Sequence, residues 1–255
     1  MTDLEQYFRN NQNRLIHKWQ HYFDIYERYF AKYRGQEVVI LEIGVFHGGS
    51  LQMWKSYFGD KAKIYGIDID PKCKELEEEN IQIFIGSQAD RAFLQQVKAQ
   101  IPDIDILIDD GGHTMQQQIV SFEELYAKVK PNGIYLCEDT MTSYWLEYGG
   151  GLRRRGTFIE YSKNFVDSLH AWHSGQAAFK KDQLTESLAS VAFYDGIVVL
   201  EKKPREKPQT LQSGQSSFES ETPAPKSRWQ KWNYQALLSI NKVLQRLKLP
   251  GFIWR

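Results

Sequence analysis

The chain is short of cysteine: among 255 residues only Cys73 and Cys137 carry a thiol, in separate segments and without a CxxC spacing. That excludes a disulfide framework and a thiolate zinc site, and it fits a reducing compartment. Net charge is missing too, because 32 Lys and Arg balance 32 Asp and Glu. No whole-chain field therefore argues for a nucleic-acid partner. No apolar run approaches the roughly 18 residues of a membrane span, and the first residues lack the apolar core of a secretion signal. The expectation is a cytoplasmic protein. The GxGxxG fingerprint of dinucleotide binding is also absent.

What is present is an alternation of apolar runs with helical spacing. Strands are expected at 38–44, 62–69, 81–85, 104–108 and 133–137, with helices at 50–57, 71–79, 89–100 and 115–129 between them. Such βαβ repetition implies a mostly parallel sheet with helices on both faces, an α/β fold of Rossmann type. A helix over 157–172 follows. The runs 188–193 and 196–202, joined at Tyr194-Asp195-Gly196, predict an antiparallel hairpin that finishes the sheet.

Flanking this domain (35–202) are three further segments. Residues 1–34 space their aromatics in steps of three and four, which predicts one or two amphipathic helices that pack on the domain or lid its cleft. His17 and His21 stand at i, i+4 but lack an acid or cysteine cluster, so helix-surface histidines are favoured over a metal pair. Residues 203–227 are rich in Pro, Ser, Gln, Glu and Lys and read as a disordered linker. Residues 228–255 read as a basic amphipathic helix, with seven Lys or Arg and no acid from Lys226 onward. That composition suits peripheral contact with the anionic inner face of a membrane, while packing on the domain or a partner subunit is the competing expectation.

The chemistry concentrates at strand ends. Residues 104–113 carry an apolar strand into Asp109-Asp110-Gly111-Gly112-His113. Carboxylates at the end of a buried strand require compensation by water, a metal or a partner. The next strand ends in Glu138-Asp139, so neighbouring parallel strands would place four acids and His113 at one rim. Leu41-Glu-Ile-Gly-Val-Phe-His-Gly-Gly-Ser50 forms a crevice loop after the first strand, with Gly44 and Gly48 permitting close approach of a ligand and Ser50 as helix N-cap. Asp68, ending the second strand, is placed to take a ribose. Glu42 would repel a pyrophosphate but attract the positive ammonium and sulfonium of S-adenosylmethionine (SAM), which favours SAM over NAD. Ser87 and Gln88 either read an adenine edge or cap their loop. Asp109 is grouped with the cofactor loop, where it supports loop amides rather than ligating. The loop 140–156, aromatic and then basic, is either substrate-facing or ordinary surface, and His47, His170 and His173 are expected to be structural.

Leu-Glu-Ile-Gly with Gly-Gly-Ser, Gly-Ile-Asp-Ile-Asp, Ile-Asp-Asp-Gly-Gly-His, and Glu-Asp-Thr before Thr-Ser-Tyr-Trp resemble class I SAM-dependent methyltransferases. Within them the chain is similar to the metal-dependent sugar O-methyltransferases of macrolide and other glycosylated natural-product pathways. The resemblance implies a seven-stranded sheet, SAM at the carboxyl ends of the first strands, Mg²⁺ held by Asp110, Glu138 and Asp139, His113 as base, and frequent homo-oligomers. A sugar hydroxyl is a poor nucleophile, a divalent cation acidifies a bound oxygen, and an imidazole ordinarily titrates near neutrality, so this set suits O-methylation. The expected acceptor is a small-molecule glycoside or glycolipid. A catechol-like diol or a non-catalytic SAM-fold subunit are the alternatives.

Overall fold

The structure, a computed structural model, describes residues 1–174, 179, 181–218, 227–247 and 249–252. It divides into two units, Met1–Pro208 and Gln209–Arg255. In the first, α1 (Asp3–Asn10) and α2 (Tyr22–Phe30) precede β1 (Val39–Ile43), α3 (Gly49–Phe58), β2 (Lys63–Asp68), β3 (Ile81–Ile85) and α4 (Arg91–Gln100). Then come β4 (Ile104–Asp109), α5 (Met115–Leu125), β5 (Val129–Cys137), α6 (Phe158–Lys163), α7 (Phe165–His170), α8 (Gln183–Ser187), β6 (Leu188–Phe193) and β7 (Val198–Lys202). The strands form one seven-stranded sheet in the order β3-β2-β1-β4-β5-β7-β6. The first five are parallel, and β7 runs antiparallel to both β5 and β6. This is the Rossmann-like arrangement expected, antiparallel terminal hairpin included. Chain order reverses between β1 and β4, so their carboxyl ends flank a crevice.

Pleat alternation sorts the strand residues between two cores. Ile40, Ile106, Ile108, Ile134 and Leu136 face a core shared with Tyr22, Tyr26, Phe30 and Trp54 of α2 and α3. Leu41, Ile43, Leu107, Tyr135 and Cys137 face the opposite core, with Leu94, Val120 and Phe122 of α4 and α5. Helix starts follow capping chemistry: Asp90 accepts from Ala92 and Phe93 at α4, and Thr114 with Gln117 closes a capping box at α5.

Several boundaries differ from expectation. No helix crosses residues 11–21, because Asn11 turns the chain: its side chain accepts from Asn13 N and donates to Arg14 O. His17 and His21 therefore share no helical face. Ser50 is not the N-cap of α3. Gly48 holds that position at φ 74, and the Ser50 hydroxyl is spent on Glu42. The 71–79 helix is only a 3₁₀ segment, Pro71–Leu76. The 157–172 helix breaks at Asn164, whose amide donates to the carbonyls of Glu160 and Tyr161.

Beyond β7, Lys203 N and Arg205 N donate to Ser187 O and Glu186 O. The described residues after Arg205 and up to 218 form neither helix nor strand. Part of the proposed linker (219–226) and part of the basic segment (248 and 253–255) lie outside the described residues. The second unit contains α9 (Arg228–Arg246), started by a Ser227–Gln230 capping box. Among the described residues no helix is long and apolar enough to cross a membrane.

Candidate active site

A cleft of about 470 Å³ opens at the carboxyl ends of β1, β2 and β4. Gly44, Ser50, Asp68, Ser87, Gln88, Asp110, His113 and Asp139 line it. Glu42, Gly48, Asp109 and Glu138 do not. In its lining the loops after β1 and β4 pass in contact. Gly44, at φ +94, leaves no room for a side chain: a Cβ there would stand 2.0 Å from the carbonyl oxygen of Asp110.

Alternation separates the neighbouring aspartates. Asp109 shares the parity of Leu107 and is buried on the α4–α5 side, accepting from Gln88 Nε2 at 2.9 Å and from the Tyr135 hydroxyl at 3.4 Å. Burial pushes its carboxyl up to about 7. Gln88 in turn donates to Ser121 Oγ and accepts from Gly112 N, so this side chain holds the glycine loop in shape. Asp110 follows Ile108 and turns to the other side, where Glu42 and Glu138 also lie.

Asp68 is committed to the crevice loop. One of its carboxylate oxygens accepts from Val45 N and Phe46 N at 2.8 and 3.0 Å, and the other from Asp70 N at 2.9 Å. A carboxylate offers about four acceptor sites, so little more than one remains for a ligand hydroxyl.

Asp110, His113 and Asp139 bring one ligating atom each to within 4.8 Å of one another. His113 Nε2 lies 3.8 Å from Asp110 Oδ1 and 3.5 Å from Asp139 Oδ2, while its Nδ1 is buried without a partner. Both His113 (φ 56) and Asp139 (φ 51) adopt left-handed backbone that non-glycine residues avoid. Such strain persists where surrounding structure imposes it, commonly at functional sites. Here Thr142 imposes part of it, its hydroxyl lying 2.9 Å from the carbonyls of both His113 and Asp139.

Sequence reasoning missed the N-terminal contribution. The Lys18 side chain is buried, and its ammonium donates to Asp110 Oδ2 at 2.6 Å and to Glu138 at 3.0 and 3.1 Å, with Glu42 Oε1 at 3.5 Å. Burial works against this ammonium, but the charges of Asp110, Glu138 and Glu42 overcome it and hold it well above the usual lysine range. Burial also pushes the carboxyls of Glu42 and Glu138 upward, against the opposing pull of Lys18. The direction supported by the 2.6 Å contact is a charged lysine held among these acids. Tyr26 donates to Glu138 at 2.7 Å, Tyr22 and Trp19 donate to Asp139 at 2.8 and 3.1 Å, and Trp54 and Ser50 donate to Glu42. The aromatic spacing of residues 19–30 carried the helix signal; nothing local revealed that Lys18 reaches strands 24, 92 and 120 residues away.

Hard oxygen donors beside an imidazole fit a divalent cation such as Mg²⁺. The lining of Gly44, Asp68 and Ser87 fits a nucleoside without phosphates.

Residues 41–140 match the family model described as a methyltransferase domain. The fold is the Rossmann-like one of methyltransferases, and residues 41–140 are similar to a methyltransferase domain. Within that class it resembles sugar O-methyltransferases. It is 37% identical, over 72% of its length and 50% of the relative's, to the 8-demethyl-8-(2-methoxy-alpha-L-rhamnosyl)-tetracenomycin-C 3'-O-methyltransferase of Streptomyces olivaceus. It is 39% identical, over 61% of its length and 42% of the relative's, to the demethylmacrocin O-methyltransferase of Streptomyces fradiae. The solved MycE methyltransferase of the mycinamycin pathway, in complex with Mg, SAH and mycinamycin VI, superposes with a TM-score of 0.69 at 27% identity, over 91% of this chain and 58% of that one. The chain thus spans about half the length of the curated relatives it matches.

Proposed function

We propose that the chain is a SAM- and Mg²⁺-dependent O-methyltransferase acting on a sugar hydroxyl of a glycosylated metabolite or glycolipid. The observation that carries this is the Asp110–His113–Asp139 cluster at the floor of a nucleoside-sized cleft. SAM binds with its ribose on Asp68 and its adenine beside Ser87 and the Gln88 backbone. Asp110 and Asp139, with Glu138, would hold Mg²⁺, whose charge would acidify the acceptor hydroxyl and offset developing negative charge. His113 receives the acceptor proton on Nε2, and Asp110 and Asp139 on either side stabilise the imidazolium. Glu42 supports this site from behind, through Lys18, rather than meeting the cofactor. The half-exposed Tyr144 and Trp145 of the 140–156 loop offer aromatic faces on which a sugar ring could pack.

The test is a panel of glycosides, catechols and NAD-linked alcohols offered with SAM and Mg²⁺ and followed by mass spectrometry. A gain of one methyl on a glycoside supports the reading. Methylation confined to catechols, or NAD turnover, rejects it. SAM binding without transfer to any acceptor favours a non-catalytic subunit.

We further propose that α9 contacts an anionic membrane from the cytoplasmic side. Arg228, Lys231, Lys242 and Arg246 meet no acid among the described residues from 227 onward, and Trp229, Trp232, Ile240 and Val243 are exposed. Vesicles containing phosphatidylserine should co-sediment the full chain and leave a chain ending at Lys203 in solution; equal sedimentation rejects the idea.

A further inference from the structure

The residues 11–21 form a strap over the crevice. Leu15, Ile16 and His17 line the cleft, and Arg14 Nη1 donates to Leu76 O at 2.9 Å. The strap lies so close to α3 that a Cβ on Gly49 would stand 2.4 Å from the carbonyl oxygens of Arg14 and Leu15. Its inward side chain is Lys18. The carboxylate of Asp110 is therefore divided, with Oδ2 turned to the Lys18 ammonium at 2.6 Å and Oδ1 turned to His113 and the open cluster. Glu138 has both oxygens within 3.1 Å of the same ammonium and one on Tyr26, leaving it facing inward. Among the described residues Lys18 is the only lysine or arginine in ion-pair contact with Glu42, Asp110 or Glu138.

We propose that the Lys18 ammonium competes with a divalent cation for Asp110 and Glu138, so that metal binding and the seating of the 11–21 strap are coupled. This rests on the metal-dependent reading above. A monovalent charge fixed at hydrogen-bond distance from Asp110 repels an incoming dication across a few ångströms of partly buried space, where screening is weak. For Glu138 to join a metal, Lys18 must withdraw from it, and withdrawal frees the strap of the ion pairs that tie it to Asp110 and Glu138. The strap also walls the cleft, so the same movement opens or closes the cofactor side.

Mn²⁺ titration of the full chain, followed by electron paramagnetic resonance, tests this without turnover. Lys18→Met should bind Mn²⁺ at least about tenfold more tightly than the wild type, a conservative figure for removing one unit charge at this range. Lys18→Arg, which keeps the charge, should bind no more tightly than the wild type. Unchanged or weaker binding by Lys18→Met, or equal tightening by both variants, overturns the proposal. If the wild type and both variants bind no Mn²⁺, the metal-dependent reading fails with it. Should Lys18→Met not fold, limited proteolysis of the wild type decides: saturating Mn²⁺ should speed cleavage within 11–21, and an unchanged rate overturns the coupling.

Discussion

Replacing Tyr26 by Phe isolates the energetics of the buried acid cluster. The Tyr26 ring is fully buried, stacked on Phe30 at 5.7 Å and edge-on to Trp54 at 5.2 Å, and phenylalanine preserves these contacts. Only the hydroxyl is lost, and with it the 2.7 Å bond to Glu138. Glu138 is buried and its other side-chain donor is Lys18. A hydrogen bond to a charged group contributes about 1.5–3 kcal/mol, and the carboxylate left short of a donor keeps the full desolvation cost, so about 2 kcal/mol is expected. For a cooperative unit near 200 residues that is a fall in Tm of about 4–8 °C. Calorimetry of the full chain at neutral pH, following the transition of the larger unit, measures it. Tyr29→Phe is the control, since that hydroxyl is paired with the Tyr194 hydroxyl and serves no acid. A Tm for Tyr26→Phe within about 1 °C of the wild type, where the size scaling allows several degrees, refutes the view that the cluster depends on this donor.

His113→Asn tolerates the left-handed backbone and removes the base, so kcat should fall by about 10²–10⁴ while SAM affinity by isothermal titration stays near the wild-type value. Asp68→Ala leaves the amides of Val45, Phe46 and Asp70 without their acceptor. It should weaken SAM by at least about tenfold in the same titration, with Asp68→Asn intermediate because the amide oxygen still serves Val45 and Phe46. Wild-type SAM affinity in Asp68→Ala would remove the crevice loop from the binding account.

The strands were legible because their side chains are apolar on both faces, the mark of a parallel sheet covered on each side, and the hairpin because Asp-Gly punctuates two largely apolar runs. The division of Asp109 from Asp110 was also present in the sequence. Counting parity from Leu107 and Ile108 places one acid on each side of the sheet, although spacing along the chain treats them alike. Lys18 was not legible. A single lysine in a polar stretch carries no periodic signal, and its partners come from three separate strands, so only the folded chain brings them together. Residues 1–34 form two helices, one of the two numbers their aromatic spacing allowed, and the break between them has a local cause: the Asn11 side chain competes for backbone groups. Glu138 stands among the ligands on the family resemblance alone; the bonds it makes to Lys18 and Tyr26 carry no local sequence signal.

The most direct measurement of the central claim is transfer of an isotopically labelled methyl group from SAM to a glycoside hydroxyl, read by mass spectrometry of the acceptor before and after chelation. The label should appear on the sugar, disappear with a chelator and return with Mg²⁺. Label on the sugar that is indifferent to the chelator, or no label on any glycoside at saturating SAM and Mg²⁺, would contradict it.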